Sequence, residues 1–163
     1  MANKKMNKVI GVSVLASALV LAGCGGGEER QEAYLQKAQE YLEQENYEKA
    51  KIEARNVLQI NPNNADGRYI LGMIAEHDQN FRGAFGSFNA AIDIDPNHIK
   101  SLNKVASYYF MSKDYDNALE KVDTILALEA KNTDAMTTQA GVYAAQEKTE
   151  EAIQIAQEVL AIE

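Results

Sequence analysis

One constant step organises this chain. Ala50, Ala84, Ala118 and Ala152 are evenly spaced along it, and Ala38, Gly72, Ala106 and Ala140 keep the same spacing. Tyr47, Phe81, Tyr115 and Thr149 form a third column, and Pro62 and Pro96 a fourth, with Ala130 in the next place. Columns in register over four units define a repeat array, in which each unit buries its apolar face only against its neighbours.

Each unit reads as a pair of helices. Tyr34, Ala38 and Tyr41 fall at i, i+4 and i+7, one face of a first helix over 34–44. Glu45-Asn46 interrupts. Tyr47 to Ile60 then forms a second helix with Ala50, Ala54 and Val57 facing inward, and Asn61-Pro62-Asn63-Asn64 stops it. Proline biases the preceding residue away from the helical region, and asparagine suits turns and caps. The second unit repeats the plan and stops at Asp95-Pro96-Asn97. Alanine and glycine at the repeated small positions let helices approach closely. Tyr47, Phe81 and Tyr115 open the second helices and are expected to plug the turn end of each hairpin.

The period and these columns resemble the tetratricopeptide repeat (TPR). The first copy matches at Ala38, Tyr41, Ala50 and Pro62, and the second at Leu71, Gly72, Ala84, Phe88, Ala91 and Pro96. The third matches at Val105, Ala106, Tyr109, Tyr115 and Ala118, and the fourth at Ala140, Tyr143 and Ala152. The usual tryptophan is replaced by Tyr34, Arg68, Leu102 and Met136. The resemblance implies an all-α superhelix of antiparallel hairpins, with repeats at residues 31–64, 65–98, 99–132 and 133–163.

In such a solenoid the first helix of each hairpin lines a concave face. The register places Leu35 and Gln39 there, then Tyr69, Ile70, Met73 and His77, then Lys100, Asn103, Lys104, Ser107, Phe110 and Met111. Thr137, Thr138, Gly141, Ala144 and Ala145 follow in the fourth copy. One reading makes this a peptide groove, with Tyr69, Met73 and Phe110 as anchors and Lys100 and Lys104 meeting a carboxylate. The other has several of these side chains packing between hairpins. The carboxylate clamp of chaperone-binding TPR proteins needs Lys and Asn in the first copy, where this chain has Leu35 and Gln39. His77 is expected to be a surface or groove hydrogen-bonder, not a metal ligand.

The N-terminus carries a different signal. Lys4, Lys5 and Lys8 precede an apolar stretch free of charge, Val9 to Leu21, in the pattern of a secretory signal over residues 1–23. That run is shorter than the roughly 20 residues that span a bilayer. Leu21-Ala22-Gly23-Cys24 resembles the bacterial lipobox, which implies cleavage before Cys24 and a diacylglyceryl group on its sulfur. Each buried CH₂ contributes about 0.8 kcal/mol to membrane binding, and two chains hold stably where one does not. Residues 24–30, with Gly25, Gly26 and Gly27, are then expected to form a flexible leash. Gly25 is not the aspartate that often retains such lipoproteins at the inner membrane. The resemblance therefore favours an outer-membrane anchor facing the periplasm, in a Gram-negative host.

Composition narrows the partners. Every Asp and Glu lies beyond the leader, whereas Lys4, Lys5 and Lys8 lie within it, so the remainder is more acidic than the net charge of -8 for the whole chain. That balance argues against nucleic acid and anionic lipid surfaces. Cys24 is the only cysteine and His77 and His98 the only histidines, so neither an intramolecular disulfide nor a metal cage is expected. No phosphate loop, nucleophile elbow or HExxH motif occurs, so no cofactor and no catalysis are expected.

The expected function is a membrane-anchored scaffold or assembly factor of the bacterial envelope. Ile52 to Gly72 is similar to the opening repeats of TPR lipoproteins of exosortase and exopolysaccharide systems. The general plan is similar to pilotin lipoproteins that help assemble type IV pilus secretins. The alternative is the N-terminal TPR portion of a longer multidomain envelope protein, an enzyme included. Ile153, Ile155, Val159, Leu160 and Ile162 on the last helix are expected to leave apolar surface open, a route to self-association.

Overall fold

Eight helices follow one another along the described residues, 25–162, of a computed structural model, and no strand occurs among them. They are α1 (Gly25–Glu43), α2 (Tyr47–Ile60), α3 (Ala65–His77), α4 (Phe81–Ile94), α5 (Ile99–Met111), α6 (Tyr115–Leu128), α7 (Thr133–Ala145) and α8 (Thr149–Ile162). Odd and even helices pair as hairpins, and each even helix packs on the next odd one. The result is a helical solenoid of the tetratricopeptide type.

Side-chain caps set the boundaries. Asn46, Asn80 and Asp114 each accept from the backbone N–H three residues on, and so do Asn64, His98 and Asn132. Both sets recur at the repeat step, and each cap satisfies one of the orphan donors of a helix start. Between the helices of every hairpin one residue takes a left-handed backbone: Glu45 (φ 57°), Gln79 (58°), Lys113 (64°) and Glu147 (63°). None of the four is glycine, although L-residues carry a steric cost there.

The core runs along the solenoid axis. Ala38, Ala50 and Ala54 are fully buried with Ile70 and Ile74, Phe88 with Ala84 and Val105, and Ala106 with Leu102, Val122 and Ile125. The small columns are therefore helix crossings. At Gly72 the crossing leaves no room for a side chain: a methyl there would lie 2.6 Å from Phe88 Cδ1, inside van der Waals contact.

Two expectations change. Gly25–Gly27 are not an extended leash but the first residues of α1. Glu28 in the first turn suits the positive end of the helix dipole, and Arg30 Nε donates to the Gly26 carbonyl at 2.6 Å. Phe81 does not plug its turn, being 54% exposed, whereas Tyr47 packs into the first core cluster. Cys24 and residues 1–23 lie outside the described residues. On α8, Ile153 and Leu160 are 53% and 72% exposed, and Ala152 alone is buried among the helix's described side chains.

Candidate functional site

The first helices of hairpins two to four wall a cavity of about 790 Å³. Asp66 and Tyr69 come from α3, Lys100, Asn103, Lys104 and Ser107 from α5, and Asp134, Thr137 and Thr138 from α7. The turns before α5 and α7 add Asp95, Asn97, His98, Glu129 and Asn132. A smaller cavity of about 200 Å³ adjoins, with Gln39, Ile70 and again Tyr69 and Lys100 on its wall. The helix geometry explains the opening. α1 packs on α3 and α5 on α7, but the backbones of α3 and α5 approach each other less closely.

Of the residues expected on the concave face, Gln39, Tyr69, Lys100, Asn103, Lys104 and Ser107 are brought together along these two cavities. Thr137 and Thr138 join them on the wall of the larger cavity, and the other residues singled out on the first three copies serve packing or face elsewhere. Ile70 is 1% exposed and belongs to the core with Ala38, Ala50 and Ala54, showing only an edge to the smaller cavity. Leu35 packs against the same cluster, and Met73 against Ala84, Phe88 and Val105. Phe110 fills the space that Gly141 leaves, since a methyl there would stand 3.0 Å from its Cζ. His77 stacks on Tyr47 with centroids 3.6 Å apart and Nδ1 3.3 Å from Asp78 Oδ1. Met111, the last residue of α5, is 74% exposed outside both cavities. A Tyr69–Met73–Phe110 anchor face is thus not what the fold presents. Met73 and Phe110 are consumed by helix packing, as apolar residues at helical spacing commonly are.

The cavity is polar where an apolar middle was expected. Lys104 Nζ sits 2.7 Å from Glu76 Oε2 on α3, so this cation is neutralised within the chain. Lys100 Nζ lies 6.0 Å from the Tyr69 ring centroid, in cation–π range. Asp66, Asp95, Glu129 and Asp134 supply negative charge around them. Burial first, and then Glu76, Asp134 and Asp66, hold the Tyr69 phenol above its usual value of 10.0. Asn103 Nδ2 donates to Asn132 Oδ1 at 3.2 Å, while Asn103 Oδ1 is buried without a donor among the described residues.

His98 ties the cavity mouth together. Its Nδ1 accepts from the Ser101 backbone N–H at 3.3 Å and lies 2.8 Å from the buried Ser101 hydroxyl. Accepting there requires the proton on Nε2, which points at Asp66 Oδ1, 3.3 Å away. That hydrogen bond from His98 is the main cause holding the Asp66 carboxyl below its usual 3.8, against the opposing effect of burial.

Sequence reasoning missed the acidic wall. Asp66 and Asp134 stand one repeat before and one repeat after Lys100, in one column, and His98 and Asn132 follow Asn64 in the cap column. The period that located Lys100 was the signal for all of them. Among the described residues no group of three or more His, Cys, Asp or Glu could hold a metal ion. No helix there is long and apolar enough to cross a membrane.

Fold and cavity together define a tetratricopeptide-type solenoid with an open groove, and the family's repeat model matches residues 35–99. The type IV pilus assembly protein PilF of Pseudomonas aeruginosa is 27% identical over 97 residues, 60% of this chain and 38% of that protein. The chain thus spans well under half the length of this relative. A solved structure of Pseudomonas aeruginosa pilF superposes with a TM-score of 0.73 at 22% identity, over 83% of this chain and 62% of that one. YrrB, described as a TPR protein with an unusual peptide-binding site, superposes with a TM-score of 0.64 at 20% identity, over 82% and 69%.

Proposed function

We propose that this protein is a lipid-anchored scaffold or assembly factor of the bacterial envelope, holding a protein partner in the cavity between α3, α5 and α7. The observation that carries the reading is the cavity itself: three successive repeats contribute polar side chains to one open trough, the surface that solenoids use for recognition. Similarity to a pilus assembly protein favours a role in envelope machinery. The leader and Leu21-Ala22-Gly23-Cys24 support export and lipidation at Cys24, with the outer membrane facing the periplasm as the site of action.

The function is tested with the full chain expressed in a Gram-negative cell. Cys24→Ser should block processing or release the protein from membranes; unchanged processing and retention would refute the lipid anchor. Thr137 is exposed on the cavity wall, so Thr137→Trp fills the trough without touching the core. Chemical crosslinking on membranes should lose its adducts in this variant. Identical adducts from both proteins would refute the groove.

A further inference from the structure

The charges around the cavity say what kind of partner it takes. Lys104 is already neutralised by Glu76 at 2.7 Å. Lys100 is the one remaining cation among the cavity-lining side chains with no ion pair among the described residues, and it shares that lining with Asp66, Asp95, Glu129 and Asp134. A carboxylate entering here would meet a wall of its own sign. Asn103 Oδ1, an acceptor with no donor among the described residues, stands on a side chain of the same wall. Burial is the main cause of the raised Tyr69 phenol, and Glu76, Asp134 across the trough and Asp66 add to it in the same direction. The chain also supplies its own stand-in for a ligand: the Lys100 ammonium over the Tyr69 face, 6.0 Å from the centroid.

We infer that the cavity recognises a basic, extended segment of a partner protein, whose lysine or arginine side chain takes the place of Lys100 against Tyr69 and the acidic wall. This rests on the groove reading above and reverses the expectation that Lys100 and Lys104 meet a carboxylate. Lys100 is then a competitor of the partner's cation, not its host. Cation–π attraction and opposite charge act together at one point, and electrostatic complementarity selects against acidic segments.

The sign of the Lys100 effect decides the matter. Labelled peptides of equal length built from Lys, Gly and Ser, from Glu, Gly and Ser, and from Gln, Gly and Ser are titrated by anisotropy against the full chain in detergent micelles at low salt. The basic peptide should bind more tightly than the acidic one by about tenfold or more. Lys100→Gln should tighten it several-fold and Asp134→Asn should loosen it. Glu150→Gln, an equal charge change on the exposed start of α8, should alter it by less than about twofold. A looser basic peptide with Lys100→Gln, preference for the acidic peptide, or an equal loss with Glu150→Gln would overturn the inference. Amide shifts of Asn103 and Thr137 separate the two readings. If only acidic or neutral peptides move them, the groove stands and the basic partner falls; if no peptide moves them, both fall.

Discussion

Lys104 Nζ and Glu76 Oε2 meet at 2.7 Å across the gap between α5 and α3, joining the two successive first helices whose backbones approach each other least closely. Both side chains are 30% exposed, so the pair is only partly shielded from water and salt. A double-mutant cycle with Glu76→Gln and Lys104→Met should give a coupling of about 0.2–1 kcal/mol, shrinking as salt rises. A coupling that is absent at low salt would mean the pair does not brace the trough.

Gly72 and Phe88 are a compensated pair. Where α4 carries Phe88, the other second helices carry Ala54, Val122 and Ala156, and where α3 carries Gly72 the others carry alanine. The bulkiest residue of one column thus meets the smallest of the other. Gly72→Ala should destabilise the protein by about 1–3 kcal/mol, because the fully buried ring has nowhere to retreat. Adding Phe88→Val should recover part of that loss in urea unfolding. Strict additivity of the two changes would contradict the compensation.

The left-handed turn residues offer the opposite effect. Gln79→Gly and Lys113→Gly should each stabilise the fold by about 0.5–1 kcal/mol, since glycine removes the Cβ clash at φ 58° and 64°. Gln79→Val should destabilise it. Urea midpoints of the three variants check the sign, and a glycine variant less stable than its parent would show that the turn carries no strain.

Asp66 sets one limb of the acid response. Its folded-state pKa lies below 3.8, so the stabilisation by its carboxylate is present above 3.8 and fades as the pH falls through the lowered value. The side chain is 41% exposed, and solvent screening keeps this below about 1 kcal/mol. Asp66→Asn retains an oxygen acceptor for His98 Nε2 but should flatten that part of the acid unfolding curve. An unchanged acid limb would contradict the assignment.

What was legible in the sequence is what recurs. Ala38, Ala50 and their partners at each repeat step are helix crossings, and every repeat demands a small residue there. The same period reaches Asp66 and Asp134 through Lys100, yet a search for apolar anchors passes over them. Lys104 and Glu76 do not share a column of the repeat, and only the folded trough joins them. Met73 and Phe110 share the helical face of true groove residues, and only their neighbours, Phe88 and Gly141, show that they are spent on packing. Glycine composition alone argues for a leash at Gly25–Gly27, where Glu28 and Arg30 instead support a helix start.

The central claim is that the partner lies in the trough. A photo-crosslinking amino acid placed at Thr137, on the trough wall, and separately at Gln154, on exposed α8, compares the two surfaces directly in membranes of cells making the full chain. The account predicts a discrete adduct from position 137 that Asp134→Asn weakens, and none of the same mass from position 154. The same adduct from both positions, or from position 154 alone, would contradict it.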